Sequence, residues 1–158
     1  MRGFKFTLAA ALVCAGAASA DIVAPADVVF TDGVAVAASL TGAAGNPAEG
    51  AKIVGSKKLG NCVACHAVSA LADIPFHGEV GPMLDGVGDR WTEAELRGIL
   101  VNSKNMFEGT VMPAYYKVDG FNRPGNAYTG KPAEGPLDPL LSAQQIEDVI
   151  AFLASLKE

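Results

Sequence analysis

Apolar residues recur at helical spacing in two stretches of the chain. The two stripes are Leu96, Ile99 and Leu100, and Ile146, Val149, Ile150 and Leu153. Steps of three and four residues are typical of a helix that lays one face against a core. No part of the sequence reads as strand, helix and strand in succession. The pattern therefore predicts a mainly helical, all-α chain.

Each predicted helix begins with an N-terminal signal. The signals pair a capping residue with Glu or Gln three positions later: Thr92 with Glu95, Ser142 with Gln145, and Asn46 with Glu49. In a capping box the two side chains bond to each other's backbone N–H groups. The last pair predicts a further helix, from Asn46 to the glycine at position 60. Gly50 lies on its face, so we expect the terminal helix to cross closely there.

Two segments lack a helical pattern. Residues 21–45, rich in Ala, Val and Gly, are predicted to form an extended N-terminal arm with at most one short strand. The arm either packs on the domain surface, which we favour, or straps onto a partner subunit. Residues 115–140 are rich in Gly, Pro and Asn but contain four aromatic residues. They are predicted to form an ordered surface loop before the last helix, and a candidate contact with a partner.

Residues 1–20 have the features of a secretory signal peptide. Two basic residues precede a short apolar run, and Ala18-Ser19-Ala20 forms an A-x-A cleavage signal. The run is too short to span a bilayer. Cys14 would leave with this segment, and the bulky Val13 before it disfavours a lipoprotein cysteine. The segment predicts export to the periplasm, followed by one domain over residues 46–158 behind the arm.

Charge narrows the range of partners. Cleavage before Asp21 leaves ten basic and 17 acidic residues in the remaining 138, a net charge of −7. That balance argues against nucleic acid or an anionic membrane surface as a partner. The mature sequence contains no other long apolar segment, so we expect no membrane insertion after cleavage.

The residues most informative about chemistry are Cys62-Val63-Ala64-Cys65-His66. C-x-x-C-H is the attachment sequence of a c-type haem, in which both thiols bond to the porphyrin and the histidine reaches the iron. A zinc site would have to combine the adjacent Cys65 and His66 with Cys62 and His77, which is geometrically awkward. A thioredoxin-like pair expects a βαβ setting. A plain disulfide would leave His66 unexplained, so haem is favoured.

A second iron ligand is expected among the methionines. Met112, followed by Pro113, lies in an irregular stretch that can turn a thioether inward. Met83 belongs to the loop expected on the His66 side, and Met106 at a helix end suits the core. Thioether and imidazole together raise a haem potential and close the iron to other ligands, which suits electron transfer. We therefore favour Met112.

Two residues between these motifs are candidates for supporting roles. The carbonyl of Pro82 is placed to accept a hydrogen bond from His66 Nδ1–H, which would turn Nε2 toward the iron. Arg90 either binds a haem propionate through its planar guanidinium or is an ordinary surface arginine. His77 is expected to be a surface loop residue and not an iron ligand.

The order of helix, C-x-x-C-H, Gly-Pro loop, helix, Met-Pro loop and terminal helix resembles the class I cytochrome c domain. Three further segments resemble the SoxX family of mono-haem cytochromes: the arm from Asp32 to Pro47, Gly60 to His66, and Val111 to Tyr116. The resemblance implies an all-α class I cytochrome c fold, with about three main helices around one covalent haem. It covers nearly the whole mature chain.

The resemblance also implies a set of roles. Cys62 and Cys65 would hold one haem c, with His66 and Met112 as axial ligands. SoxX proteins form a heterodimer with SoxA, and the complex oxidatively joins thiosulfate to a cysteine of the carrier SoxYZ. The sulfur chemistry is attributed to a SoxA haem with a modified cysteine ligand. The chain would then be an electron-transfer subunit, not catalytic alone, that passes electrons to a small acceptor such as another cytochrome c.

Two other functions remain compatible with a haem motif. One is a free-standing electron shuttle, which copurification would distinguish from a subunit. The other is a gas- or peroxide-binding haem protein, which needs an open iron position. The Met-Pro loop argues against the latter.

Overall fold

The computed structural model describes residues 21–126 and 128–158. The predicted signal peptide, with Cys14, lies outside these residues. Four α-helices follow in chain order: α1 Pro47–Gly55, α2 Val87–Arg90, α3 Glu93–Asn102 and α4 Ala143–Ser155. Short 3-10 turns occur at Pro25–Asp27, Cys62–Ala64, Ser69–Leu71 and Ser103–Asn105. The described residues contain isolated β-bridges but no sheet, which confirms the all-α prediction.

The helix start signals form the predicted hydrogen bonds at two of the three helices for which they were predicted. Complete capping boxes begin α3 and α4. At α1 the Asn46 side chain accepts from the N–H groups of Ala48 and Glu49, while the Glu49 carboxylate accepts from Lys52. The starts of α1, α3 and α4 are therefore determined by residues within one turn of each.

Helix α1 is shorter than predicted, because it ends at Gly55 and not near Gly60. The chain folds back at this point: the N–H of Gly60 donates to the carbonyl of Ile53, at 3.2 Å. Gly60 is thus the end of a return turn that bonds back onto the helix. The predicted position of the stop was wrong by five residues.

Helices α1 and α4 cross at Gly50, as the sequence predicted. A Cβ atom built on Gly50 would lie 2.0 Å from the carbonyl oxygen of Asp148, so only glycine permits this approach. Helix α3 also packs on α4, and the apolar stripes of both helices are buried. The core lies between these helices and extends to one cavity, described below.

The N-terminal arm packs against the domain. Val36 and Leu40 are 2% and 1% exposed, and the N–H of Val36 donates to the carbonyl of Ala94 on α3. The described part of the arm contains one 3-10 turn and one bridge, between Thr31 and Ala35, in place of a strand. Val36 and Leu40 are thus part of the core.

A buried ion pair joins the arm to two helices. Arg97 of α3 donates to both carboxylate oxygens of Glu147 on α4, each at 2.9 Å. Arg97 also donates to the carbonyl of Val36, and Glu147 accepts from the N–H of Leu40 at 2.7 Å. Two charged side chains therefore satisfy two of the backbone groups that fix the arm.

The loop before α4 differs from its prediction at its first residues. Tyr115 and Tyr116 are buried, at 6% and 4% exposure, whereas Tyr128 is 98% exposed. The hydroxyl of Tyr116 donates to the carbonyl of Val23 in the arm. The surface part of the loop therefore begins after residue 116. No helix in the described parts of the chain is long and apolar enough to cross a membrane.

Candidate haem-binding site

A mainly apolar cavity of about 390 Å³ lies beside the C-x-x-C-H segment. Its lining comes from residues 61–66, from the loop and helix between residues 80 and 91, from α3, from residues 107–115 and from α4. This size and character are typical of a site for a bound organic group. Five segments of the chain therefore meet around one space.

The C-x-x-C-H segment forms a tight turn at the cavity wall. The N–H groups of Cys65 and His66 both donate to the carbonyl of Cys62, at 3.0 and 2.9 Å. The side chains of all three residues line the cavity, and both cysteines are free thiols. Burial raises the pKa of the Cys62 thiol to about 11, so it is protonated at neutral pH. The turn thus presents two thiols and an imidazole together.

A hydrogen bond at Nδ1 fixes the orientation of the His66 ring. Its Nδ1 lies 2.6 Å from the carbonyl oxygen of Pro82. A carbonyl oxygen only accepts, so Nδ1 carries the proton and Nε2 keeps its lone pair for a metal. A Cβ atom on Gly81 would lie within 2.8 Å of three imidazole atoms. The Gly-Pro pair therefore lets the loop lie against the ring and accept its proton.

Arg90 lines the cavity and also stabilises the loop that carries Pro82. Its guanidinium donates to the carbonyls of Asp85, at 2.7 Å, and Met83, at 2.9 Å. The Asp85 carboxylate accepts from Ser69, and these hydrogen bonds hold the pKa of Asp85 below its usual value. Arg90 therefore supports the backbone behind His66 while it places a positive charge at the cavity.

Among the three described methionines, only Met112 lines the cavity. Met112 is partly buried against the core, whereas Met83 is 53% exposed. Met106 follows the 3-10 turn at the end of α3. The structure thus brings Met112 to the same space as Cys62, Cys65 and His66.

Tyr115 is a site residue that sequence reasoning missed. Its side chain lines the cavity, and its hydroxyl donates to the carbonyl of Gly60 at 2.8 Å. Burial raises the pKa of Tyr115 above its usual value, so the hydroxyl remains a donor. Its backbone N–H donates to the carbonyl of Leu100 in α3. Tyr115 therefore connects the methionine segment to the segment that carries the cysteines.

His77 lies apart from the cavity wall. It is half-buried, not fully at the surface as predicted, and its Nδ1 accepts from the N–H of Val68 at 3.2 Å. Within residues 21–126 and 128–158, no three His, Cys, Asp or Glu side chains group as a metal site would require. The geometry thus gives no support to the zinc alternative.

The residues present fit a covalently attached haem. Two free thiols and an imidazole whose Nε2 lone pair is available share an apolar cavity with a thioether. This combination is the donor set of a low-spin c-type haem. Pro82 accepts a hydrogen bond from His66, and Arg90 lines the cavity, so both lie where they can support these donors.

Comparisons with known proteins agree with the site. The cytochrome c family model matches residues 47–157, and this family binds haem c covalently. A chain in the crystal structure of SoxXA from P. pantotrophus is 62% identical, with a TM-score of 0.80. The match covers 85% of this chain and 98% of that one. No curated protein sequence matched significantly. The chain therefore belongs to the cytochrome c family, and its similarity to the SoxXA chain confirms the resemblance to SoxX.

Proposed function

We propose that this chain is the electron-transfer subunit of a SoxXA-type complex and holds one haem c. The observation that carries the proposal is the meeting of Cys62, Cys65, His66 and Met112 at one apolar cavity. The 62% identity to a chain of a SoxXA structure supports the type of complex. When bound, the haem supplies reversible one-electron transfer.

The residues of the chain divide the work of holding that group. Cys62 and Cys65 would attach it, and the turn between them, closed by hydrogen bonds to the carbonyl of Cys62, would fix where the attachment occurs. His66 would hold the iron through Nε2, because Nδ1 keeps its proton and donates it in a hydrogen bond to the carbonyl of Pro82. Met112 would hold the iron through its thioether, and a haem held by imidazole and thioether suits electron transfer and not the binding of small molecules. Arg90 provides a positive charge suited to a propionate.

The proposed partner is SoxA, in a heterodimer that couples thiosulfate to a cysteine of the carrier SoxYZ. The two cysteines after residue 21 both belong to the attachment turn, so this chain has none to spare for sulfur chemistry. It would receive electrons from SoxA and pass them to a small acceptor such as another cytochrome c. Its location would be the periplasm, where residues 1–20 would direct it.

Replacement of single cysteines tests the attachment. Cys62→Ala and Cys65→Ala should each reduce covalent haem, measured by haem staining after denaturing electrophoresis. Cys14→Ala is the matched control, since that residue lies in the predicted signal peptide and should leave haem staining unchanged. Full staining in a Cys62→Ala, Cys65→Ala double variant would exclude this attachment turn.

Copurification tests the assignment to a complex. A tagged full-length chain, expressed in a thiosulfate-oxidising host, should be recovered from periplasm with one stoichiometric haem-containing partner. A coloured protein recovered alone at all salt concentrations would instead support the free-standing shuttle.

The exposed part of the loop before α4 is the proposed contact with SoxA. Removal of residues 121–135 should weaken association with SoxA, measured by titration of the purified subunits. The haem spectrum should be retained, because Tyr115 and Met112 remain. Unchanged affinity of the shortened chain would refute this contact.

A further inference from the structure

The backbone of Met112 is held by side chains on both sides. Its carbonyl oxygen accepts from the hydroxyl of Ser103, at 2.8 Å, and also from the ammonium of Lys104. Its N–H donates to Thr110 Oγ1 at 3.2 Å. We propose that Ser103 is a positioning residue for Met112, with Lys104 as its outer partner.

Ser103 is well placed for this role. It follows the last residue of α3 and is 0% exposed, the only serine in the core of the described chain. Its carbonyl accepts from the N–H of Phe107 at 2.9 Å, and Phe107 also lines the cavity. A buried hydroxyl needs a partner, and the partner here is the carbonyl of Met112. The end of α3 therefore determines where the Met112 backbone lies.

Lys104 contacts the same carbonyl from the solvent side. Its side chain is exposed, so its hydrogen bond competes with water and contributes less than that of Ser103. When one donor is removed, the other still satisfies the carbonyl. The two donors should consequently be coupled, and the loss of both should exceed the product of the separate effects.

The inference rests on the proposed function of Met112 as an iron ligand. The methionine segment must open before a small molecule reaches the iron, and opening breaks the hydrogen bond from Ser103. One such bond favours the closed arrangement by about fivefold, which corresponds to ~1 kcal/mol. Ser103 therefore keeps the thioether in place by restricting its backbone, and Ser103 does not itself line the cavity.

Carbon monoxide binding to the reduced holoprotein at neutral pH measures this opening. Ser103→Ala should increase the binding rate about fivefold and weaken the methionine-to-iron charge-transfer band of the oxidised protein. Ser155→Ala is the control, since that hydroxyl also donates to a backbone carbonyl, of Phe152, at 2.6 Å, but Ser155 is exposed and does not line the cavity. Equal rates in the two serine variants would overturn the role of Ser103.

Two further variants separate the possible failures. Met112→Ala should abolish the charge-transfer band, and if it does not, the proposed ligand itself is wrong. If Met112→Ala loses the band but Ser103→Ala binds carbon monoxide at the same rate as Ser155→Ala, only the positioning role of Ser103 fails. A Ser103→Ala, Lys104→Leu double variant should bind carbon monoxide faster than the product of the single effects predicts. A rate equal to that of Lys104→Leu alone would contradict the proposal.

Discussion

Replacement of Glu147 by Gln tests how the arm, α3 and α4 are held together. The substitution keeps the shape of the side chain but removes the charge that faces Arg97. Both side chains are almost fully buried, at 6% and 5% exposure. The guanidinium would remain in the core without its counter-ion, and the N–H of Leu40 would lose a charged acceptor.

The expected loss of stability is large. Removal of one partner from a buried ion pair lowers the free energy of unfolding by about 3–5 kcal/mol, because an uncompensated charge stays buried. For a domain of this size the melting temperature should fall by roughly 10–15 °C. Glu49→Gln is the matched control. Its carboxylate pairs with Lys52 at 2.7 Å, but the side chains are 50% and 70% exposed, so about 0.5 kcal/mol or less is expected.

Guanidinium chloride unfolding of the holoprotein, followed by far-UV circular dichroism, measures both variants. If Glu147→Gln lies within about 1 kcal/mol of Glu49→Gln, the buried pair does not stabilise the fold as argued. An Arg97→Met, Glu147→Met double variant should be more stable than Glu147→Gln, since no charge remains to be desolvated. A double variant less stable than the single one would show that packing, and not charge, dominates at this position.

Three further predictions concern the cavity and the start of α3. Met112→Ala should lower the haem potential substantially in a redox titration, while Met106→Ala stays near wild type; the reverse order would contradict the choice of ligand. Tyr115→Phe should lower the free energy of unfolding by about 1–2 kcal/mol in denaturant without reducing covalent haem, because it removes only a buried hydrogen bond. Hydrogen bonds from Thr92 hold the pKa of Glu95 below its usual 4.5. A carboxyl group whose pKa is lowered by folding stabilises the fold at pH values above its pKa in the unfolded state. This stability is lost as the pH falls through its pKa in the folded state. Thermal unfolding of Glu95→Gln and wild type should therefore differ at neutral pH and converge in acid, where the carboxyl is protonated; an equal difference at every pH would contradict the linkage.

Features whose partners are close in sequence could be predicted. The capping boxes at Thr92 and Ser142 depend on contacts three residues apart, and the C-x-x-C-H turn on contacts within four. The close crossing at Gly50 involves partners distant in sequence, on α4, but it could be predicted because a glycine on a helix face permits a close approach. The end of α1 could not be predicted, because it depends on a return turn in which the N–H of Gly60 bonds to Ile53, seven residues earlier. Helix α2, with only four residues, is too short for periodicity to show.

The site also contains residues that could be predicted from the sequence and residues that could not. The hydrogen bond between His66 and Pro82 spans 16 residues, yet it was predicted because a metal-binding imidazole requires a partner for its other nitrogen. Tyr115 was missed because its partner, Gly60, is 55 residues away and its segment is rich in glycine and proline. Ser103 was missed because a serine after a helix is ordinary in sequence. Only the fold shows that it is buried against Met112.

The attachment side of the site (Cys62, Cys65 and His66) and its methionine side (Met112) therefore differ in the interactions that hold them in place. Cys62, Cys65 and His66 lie in one turn, and covalent attachment would hold the first two whatever the rest of the chain does. Met112 is placed by hydrogen bonds from Ser103 and Lys104 to its carbonyl, by the hydrogen bond from its own N–H to Thr110, and through α3 by the packing of the arm. Any loosening of α3 should consequently appear first as loss of the methionine ligand, before the helices unfold. In Glu147→Gln, the charge-transfer band should disappear at a lower denaturant concentration than the helical circular dichroism, and coincident transitions would show that the two sides are equally secured.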